Sequence, residues 1–227
     1  MNTDRMEHKM DITKEVEAGQ AVYSPAVLAI YDLYVFGLSN RFVWKCKTAN
    51  LLQNYNDNIS DNHLEIGVGS GFLLDRCRFP IAKPRVVLMD LNENSLRVTE
   101  KRIERYAPTS FRQNVLEPFS IGPHRYDSVG INYLLHCLPG TMRSKAVVFD
   151  NILDVLNPGG VVFGATLVQT GVPVGTLAKK IMNIYNRRGI FSNTKDSVND
   201  MDDILSTRFA QHSIKVCGCA AIFAARL

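Results

Sequence analysis

From about residue 62 onward, short apolar runs of strand length alternate with stretches whose apolar residues recur at helical spacing. Residues 63–66 form the first such run and lead into Gly67, Gly69 and Gly71, after which Phe72, Leu73, Leu74 and Cys77 carry a helical stripe. Residues 85–90 read as a second buried strand. Asn92 then stands where a helix N-cap belongs, ahead of a predicted helix over 95–106 with Leu96, Ile103 and Tyr106 on one face. Phe111 and its neighbours predict a third strand, 126–132 a fourth, 142–156 a helix, and 161–167 a fifth strand after the turn Asn157-Pro158-Gly159-Gly160. Strands separated by helices cannot pair as hairpins, so they form a parallel sheet whose two faces the helices cover. The expected fold class is therefore α/β and doubly wound.

The two ends follow other rules. Ser24-Pro25 has the form of an N-cap followed by proline at the first helical position, opening an apolar helix over 24–36 that Gly37 is placed to stop. Ser39 is the expected cap of a second helix running through Trp44 toward Leu52. Residues 1–58 are thus expected to be a helical extension that lids a single domain spanning 59–227. Toward the other end, 176–188 reads as a basic helix, its charges on a solvated face. Residues 209–216 and 219–224 read as a strand pair around Gly218 that closes the sheet edge, with Cys217 and Cys219 sharing one strand face as core.

Composition narrows the classes. At 227 residues, 46% hydrophobic and 21% charged, the chain falls in the range of ordinary globular domains. Its longest apolar run, 161–168, is far short of the roughly 20 residues that cross a bilayer. Residues 1–10 carry mixed charges with no apolar segment behind them, so no secretory signal is read and the cytoplasm is the expected compartment. A net charge of +4 is too small and too scattered for a nucleic-acid footprint, which argues against a nucleic-acid partner. Five cysteines with no C-x-x-C pair offer neither a disulfide framework nor a metal site.

The chemistry points to the segment His63-Leu64-Glu65-Ile66-Gly67-Val68-Gly69-Ser70-Gly71. Glycines at alternate positions let a strand turn tightly into a helix and let a ligand approach the backbone. A dinucleotide fingerprint would require a third glycine at position 72, which is Phe. The G-x-G-x-G pattern after an acidic residue resembles motif I of the class I S-adenosylmethionine-dependent methyltransferases. Further landmarks follow in order: Asp90 at the end of the second strand, Asn114 after the third, Asn132 ending the fourth, and the Asn-Pro-Gly-Gly turn. The resemblance covers residues 60–227. The phrases Asn132-Tyr133-Leu134-Leu135-His136-Cys137-Leu138-Pro139 and Ser39-Asn40-Arg41-Phe42-Val43-Trp44 are also similar to a little-characterised group of small bacterial methyltransferases.

The resemblance implies a Rossmann-like seven-stranded sheet in the order 3-2-1-4-5-7-6 with strand 7 antiparallel. It implies S-adenosylmethionine as cofactor and a small molecule, such as a biosynthetic-pathway intermediate, as methyl acceptor. Gly67 and Gly69, with Gly71, would hold its methionyl part, Glu65 would support the turn and the amino group, and Asp90 would hold the ribose. Asn114 would face adenine, with Leu91, Val115 and Asn132 completing the cofactor site. Tyr31, Tyr34 and Tyr133 are the expected acceptor contacts and His136 the expected general base, since imidazole exchanges protons near neutral pH. The segment after the fourth strand, Asn132-Tyr133-Leu134-Leu135, lacks the Asp/Asn-Pro-Pro-aromatic signature of many nucleic-acid amino-methylating relatives. No metal is implied. Oxygen, nitrogen, sulfur and carbon all stay open as acceptor atoms, and no oligomeric state is read. Two other readings stand beside this one: a module that binds the nucleoside without transferring methyl, and a nicotinamide-dependent oxidoreductase.

Overall fold

A computed structural model of the chain describes residues 39–122 and 124–227. The expected helix over 24–36, with Tyr31 and Tyr34, lies outside the described residues. The elements in chain order are α1 (Thr48–Asn58), β1 (Asn62–Ile66), α2 (Phe72–Arg76), β2 (Arg85–Asp90), α3 (Glu93–Arg102), β3 (Thr109–Arg112) and β4 (Tyr126–Asn132). They continue with α4 (Val147–Leu153), β5 (Leu156–Leu167), α5 (Thr176–Arg187), α6 (Val198–Ser206), β6 (Gln211–Cys217) and β7 (Ala220–Arg226). The seven strands lie in the order β3-β2-β1-β4-β5-β7-β6. Strands β1 to β5 are parallel, and β7 runs antiparallel to both β5 and β6. This is the order and the antiparallel strand that the resemblance implied.

Two apolar cores take up the apolar residues of the central strands. Leu64, Ile66, Val87, Met89, Val129 and Ile131 join one core with Phe149 of α4 and Ile204 of α6. Val86, Leu88, Phe163 and Ala165 join the other with Leu51 and Tyr55 of α1, Leu96 of α3 and Met182 of α5. Each large aliphatic side chain so buried stabilises the fold by about 1.5–3 kcal/mol. Helix α1 crosses the latter face, where Asn54 Nδ2 donates to the carbonyls of Gly164 and Phe223. Asn92 caps α3 as expected, its side chain accepting from the N–H groups of Asn94 and Ser95.

Four expectations change. The helix predicted over 142–156 is a short 3₁₀ turn, Ser144–Ala146, followed by the seven-residue α4. Strand β5 already pairs at Leu156 with Tyr126, and the register then jumps so that Val161 meets Ser128, leaving the Asn-Pro-Gly-Gly residues as an irregularity within the strand. The helix expected from Ser39 is broken: 39–43 form a π-type turn, Lys45 takes φ 55°, and the α-helix starts only at Thr48. Cys217 ends β6 while Cys219 lies beyond the turn, so they flank Gly218 instead of sharing a strand face; Cys219 is buried and Cys217 half-buried. Finally, α6 was not anticipated. Its signal was Ser197-x-x-Asp200 ahead of Met201, Ile204 and Leu205, and the Ser197 hydroxyl indeed accepts from the Asp200 N–H and donates to its carboxylate.

Candidate functional site

The carboxyl ends of β1, β2 and β4 open into a cleft enclosing about 1080 Å³, open solvent at its mouth included. Its floor is the glycine turn. Gly67, Gly69 and Gly71 all have positive φ, at 71°, 56° and 72°. A Cβ on Gly67 would meet the Leu134 side chain at 2.9 Å and one on Gly71 would meet Thr99 at 2.8 Å, whereas one on Gly69 would meet nothing within 4 Å. The turn is thus packed on both flanks and open at its middle, toward a ligand-sized space.

Asp90 sits beside the turn. Its Oδ1 accepts from the Asn92 N–H at 2.8 Å, and N–H groups of Val68, Gly69 and Leu91 also face the carboxyl. Burial pushes its pKa up to about 6, against the lowering effect of those N–H donors. Leu91, Asn114 and Val115 line the same end of the cleft. Asn114 Oδ1 accepts from Leu116 N–H at 3.0 Å and so also closes its own turn. Asn132 is different. Its side chain is nearly buried at 8% exposure, lines the cleft, and makes no hydrogen bond through either amide atom within the described residues. A buried, unsatisfied amide costs about 1–3 kcal/mol unless a ligand completes it.

Glu65 lines the cleft too, but both its oxygens have protein partners. The Tyr55 hydroxyl donates to Oε1 at 2.5 Å, and His63 Nε2 lies 3.0 Å from Oε2. Tyr55 had no place in the sequence-based site. Its burial and the neighbouring Glu65 charge hold its hydroxyl well above the usual phenol range.

Tyr133 directly follows β4 with φ 53°, a conformation uncommon for a residue with a Cβ and worth about 1–3 kcal/mol of strain. Its N–H is held by Ala165 O at 2.7 Å, and its hydroxyl donates to Asn40 Oδ1 at 2.9 Å. Asn40 in turn donates to Thr48 Oγ1. The ring of Tyr133 therefore marks where the cleft meets the 39–48 segment, which is itself tied to the sheet by the Cys219 N–H on Trp44 O.

His136 does not line the cleft. It is 3% exposed, behind Tyr133, with ring centroids 5.7 Å from Tyr133 and 4.5 Å from Phe191. Its Nδ1 accepts the Leu167 N–H and lies 3.3 Å from Thr166 Oγ1. Burial, then the nearby Lys145 charge, bring its pKa down to about 3, so the ring is neutral at any physiological pH.

Residues 64–162 match a family model described as a methyltransferase domain. The chain is 44% identical over 214 residues to demethylluteothin O-methyltransferase of Streptomyces thioluteus, covering 94% of this chain and 93% of that protein. The chain belongs to the class I S-adenosylmethionine-dependent methyltransferases. A second relative of this methyltransferase is the physcion biosynthesis cluster O-methyltransferase of Aspergillus chevalieri, 35% identical over 92% of this chain and 95% of the relative. The same fold is found in the DhpI–SAH complex, with a TM-score of 0.66 at 15% identity over 93% of this chain and 96% of that one. It recurs in the N-methyltransferase NodS of Bradyrhizobium japonicum in complex with S-adenosylhomocysteine, with a TM-score of 0.55 at 15% identity over 78% and 84% of the two chains. No described helix of this methyltransferase is long and apolar enough to cross a membrane.

Proposed function

We propose that the cleft binds S-adenosylmethionine along the glycine turn and that the enzyme methylates a hydroxyl of a small, largely apolar molecule. The observation that carries the cofactor assignment is the buried amide of Asn132, which lines the same cleft as Gly69 and has no hydrogen-bond partner among the described residues. Such an amide fits the methionyl amino and carboxylate groups, which need an acceptor and a donor side by side. Asp90 offers acceptor oxygens to the ribose hydroxyls, the side-chain amide of Asn114 and the apolar faces of Leu91 and Val115 receive adenine, and Glu65 with Gly67, Gly69 and Gly71 shapes the methionyl end.

S-adenosylmethionine, when bound, supplies a methyl carbon already activated by its sulfonium. What remains for the protein is alignment, for which up to about 7–11 kcal/mol is available from orientation in favourable cases. Tyr133 supports that role, since its strained backbone and the Asn40–Thr48 relay hold the ring in one place between the cofactor end and the apolar wall of Leu134, Cys137 and Leu138. Tyr31 and Tyr34 remain proposed acceptor contacts. The titratable side chains lining the cleft among the described residues are Tyr55, Glu65, Asp90, Tyr133 and Cys137. With no imidazole or amine among these described lining residues, an acceptor whose own hydroxyl ionises readily, such as an enol or phenol, suits this part of the site best. The O-methyltransferase names of the two relatives support oxygen as the acceptor atom.

Calorimetric titration with S-adenosylmethionine, S-adenosylhomocysteine and NAD tests the cofactor assignment. The expected result is binding of both sulfur nucleosides and not of NAD; binding of NAD alone would overturn it. A screen of phenols and enols with labelled methyl then tests the acceptor class, with transfer only to amines as the contrary result. His136 is assigned to packing instead of proton transfer. His136→Asn is therefore expected to lower the melting temperature while leaving kcat within a few-fold of wild type. Its kcat–pH profile should also lose no limb near neutrality, because a ring with a pKa of about 3 does not change charge there. A loss of a hundredfold or more in kcat at unchanged KM, the size of a missing general base, would return His136 to the chemistry.

A further inference from the structure

Basic residues that are scattered along the sequence are gathered by the fold. Residues 39–56 contain Arg41, Lys45 and Lys47 and no acidic residue. Residues 155–195 contain Lys179, Lys180, Arg187, Arg188 and Lys195 and again no acidic residue. All eight basic residues are exposed, and among the described residues none of them forms an ion pair. The two segments touch. A Cβ on Gly175, just ahead of α5, would meet Lys45 Cε at 3.7 Å, and the ring centroids of Trp44 and Phe191 lie 6.4 Å apart. The 22 acidic residues of the chain all lie outside these segments, where they outnumber the basic ones.

Helix α5 presents more than charge. Ala178 and Met182 are buried in the core, while Leu177, Ile181 and Ile184 recur at i, i+4 and i+7 along an outer stripe, with Leu177 54% and Ile184 38% exposed. Lys180, Arg187 and Arg188 follow the same stripe at helical spacing. On the other segment Phe42 is 62% exposed, with the Arg41 guanidinium 5.5 Å from its ring centroid. A phosphate backbone is held by polar and charged contacts and gains little from aliphatic side chains. A protein partner gains from them through pockets shaped to fit. A fluid lipid surface takes singly standing apolar side chains with no shaped pocket, and long lysine and arginine stems lie along the acyl boundary while their charges reach the headgroups.

We propose that α5 and the 39–48 segment form a docking face for an anionic lipid bilayer, with Leu177 and Ile184 entering the headgroup layer and the surrounding lysines and arginines meeting lipid phosphates. The helix lies on the bilayer and does not cross it, since its 12 residues are far fewer than the roughly 20 that a crossing needs. The 39–48 segment also holds Tyr133 at the cleft through Asn40, so docking brings a border of the cleft to the medium in which a largely apolar acceptor accumulates. That consequence rests on the proposed acceptor class. The docking itself depends on neither the acceptor nor the cofactor.

The test is cosedimentation of the full chain with vesicles of phosphatidylcholine alone and of phosphatidylcholine mixed with phosphatidylglycerol. Binding is expected to the mixed vesicles and not to the neutral ones. It should be lost as salt rises from about 0.1 M to about 1 M, which shortens the screening length from about 10 Å to about 3 Å. Lys180→Gln combined with Arg187→Gln should weaken it about twenty-fivefold, at about fivefold for each charge removed near an anionic surface. Leu177→Asn combined with Ile184→Asn should weaken it about tenfold, because only part of each side chain enters the acyl boundary. No binding to the mixed vesicles, equal binding to both kinds, or full binding by the glutamine variant overturns the proposal. Full binding by the asparagine variant also overturns it, since charge alone would then be read, as a nucleic acid or an acidic protein would read it. If either variant fails to fold, hydrogen exchange of the wild type with mixed vesicles decides. Slowed exchange over residues 176–188 is expected, and slowing confined to other segments overturns the proposal.

Discussion

Asp90→Ala is expected to weaken S-adenosylmethionine and S-adenosylhomocysteine alike by a hundredfold or more, with little change in fold. Two hydrogen bonds from ribose hydroxyls to a carboxylate are worth about 1.5–3 kcal/mol each, and the alanine variant supplies neither. Asp90→Asn keeps one acceptor and should fall between. The pH dependence follows from the direction of the shift. Burial raises the Asp90 pKa from 3.8 to about 6, so the cleft holds an ionised carboxylate above about pH 6 and a protonated acid below it. Affinity for both nucleosides should therefore decline as the pH falls through about 6. Stability runs the other way. The folded chain keeps a proton on this group between about pH 4 and 6 that the unfolded chain releases, so its ionisation destabilises the fold as the pH rises through that window. Asp90→Asn should thus melt higher than wild type at pH 7 while binding more weakly, the usual trade at a site arranged for function. Equal affinity at pH 5 and pH 7 would contradict the carboxylate's assignment to the ribose.

The largest stability effect is expected at Lys145 and Asp196. Both side chains are fully buried, with Nζ 2.6 Å from Oδ2 and a second bond from Nζ to Ser192 O. Burial lowers the Lys145 pKa and raises that of Asp196, each against the pull of its partner, so the two charges persist only because they face each other. Removing one leaves the other uncompensated in a dry interior, which costs about 3–5 kcal/mol. Lys145→Met and Asp196→Leu should each lower the melting temperature by about 6–20 °C, taking roughly 2–4 °C per kcal/mol for a chain of this size. The double variant should recover much of the loss, because an apolar pair has no charge to desolvate. Thermal melts of the three proteins form a double-mutant cycle. Additive losses would mean that the pair is not coupled.

These groups also show how much of the molecule could be read from its amino acids. Strand positions were legible because strands buried on both faces carry apolar centres, as residues 86–89 do within Arg85–Asp90, while Tyr126–Asn132 was legible despite Asp127 and Ser128; both strands have the predicted bounds. The glycine turn was legible because three positive φ angles within five residues demand residues without a Cβ. Asn92 announced its helix because capping is a local hydrogen bond. By contrast, the helix predicted over 142–156 was overextended, since the pairing of Leu156 with Tyr126 on a neighbouring strand outweighs the local helical pattern.

The alternation of strands and helices, the turn that floors the cleft, and the residues along β1, β2 and β4 whose ends surround it were legible in the amino acids, because each depends on contacts within a few residues. The surroundings of those side chains follow instead from the packing of distant segments. His136 was the expected base, and it turns inward among Tyr133 and Phe191, where burial removes its charge. Tyr55, His63, Ser128 and Gly130 come from three separate elements and meet around Glu65 through pairing of β1 with β4 and packing of α1. Proton placement and desolvation depend on neighbours distant in the chain, and no local pattern carries that information.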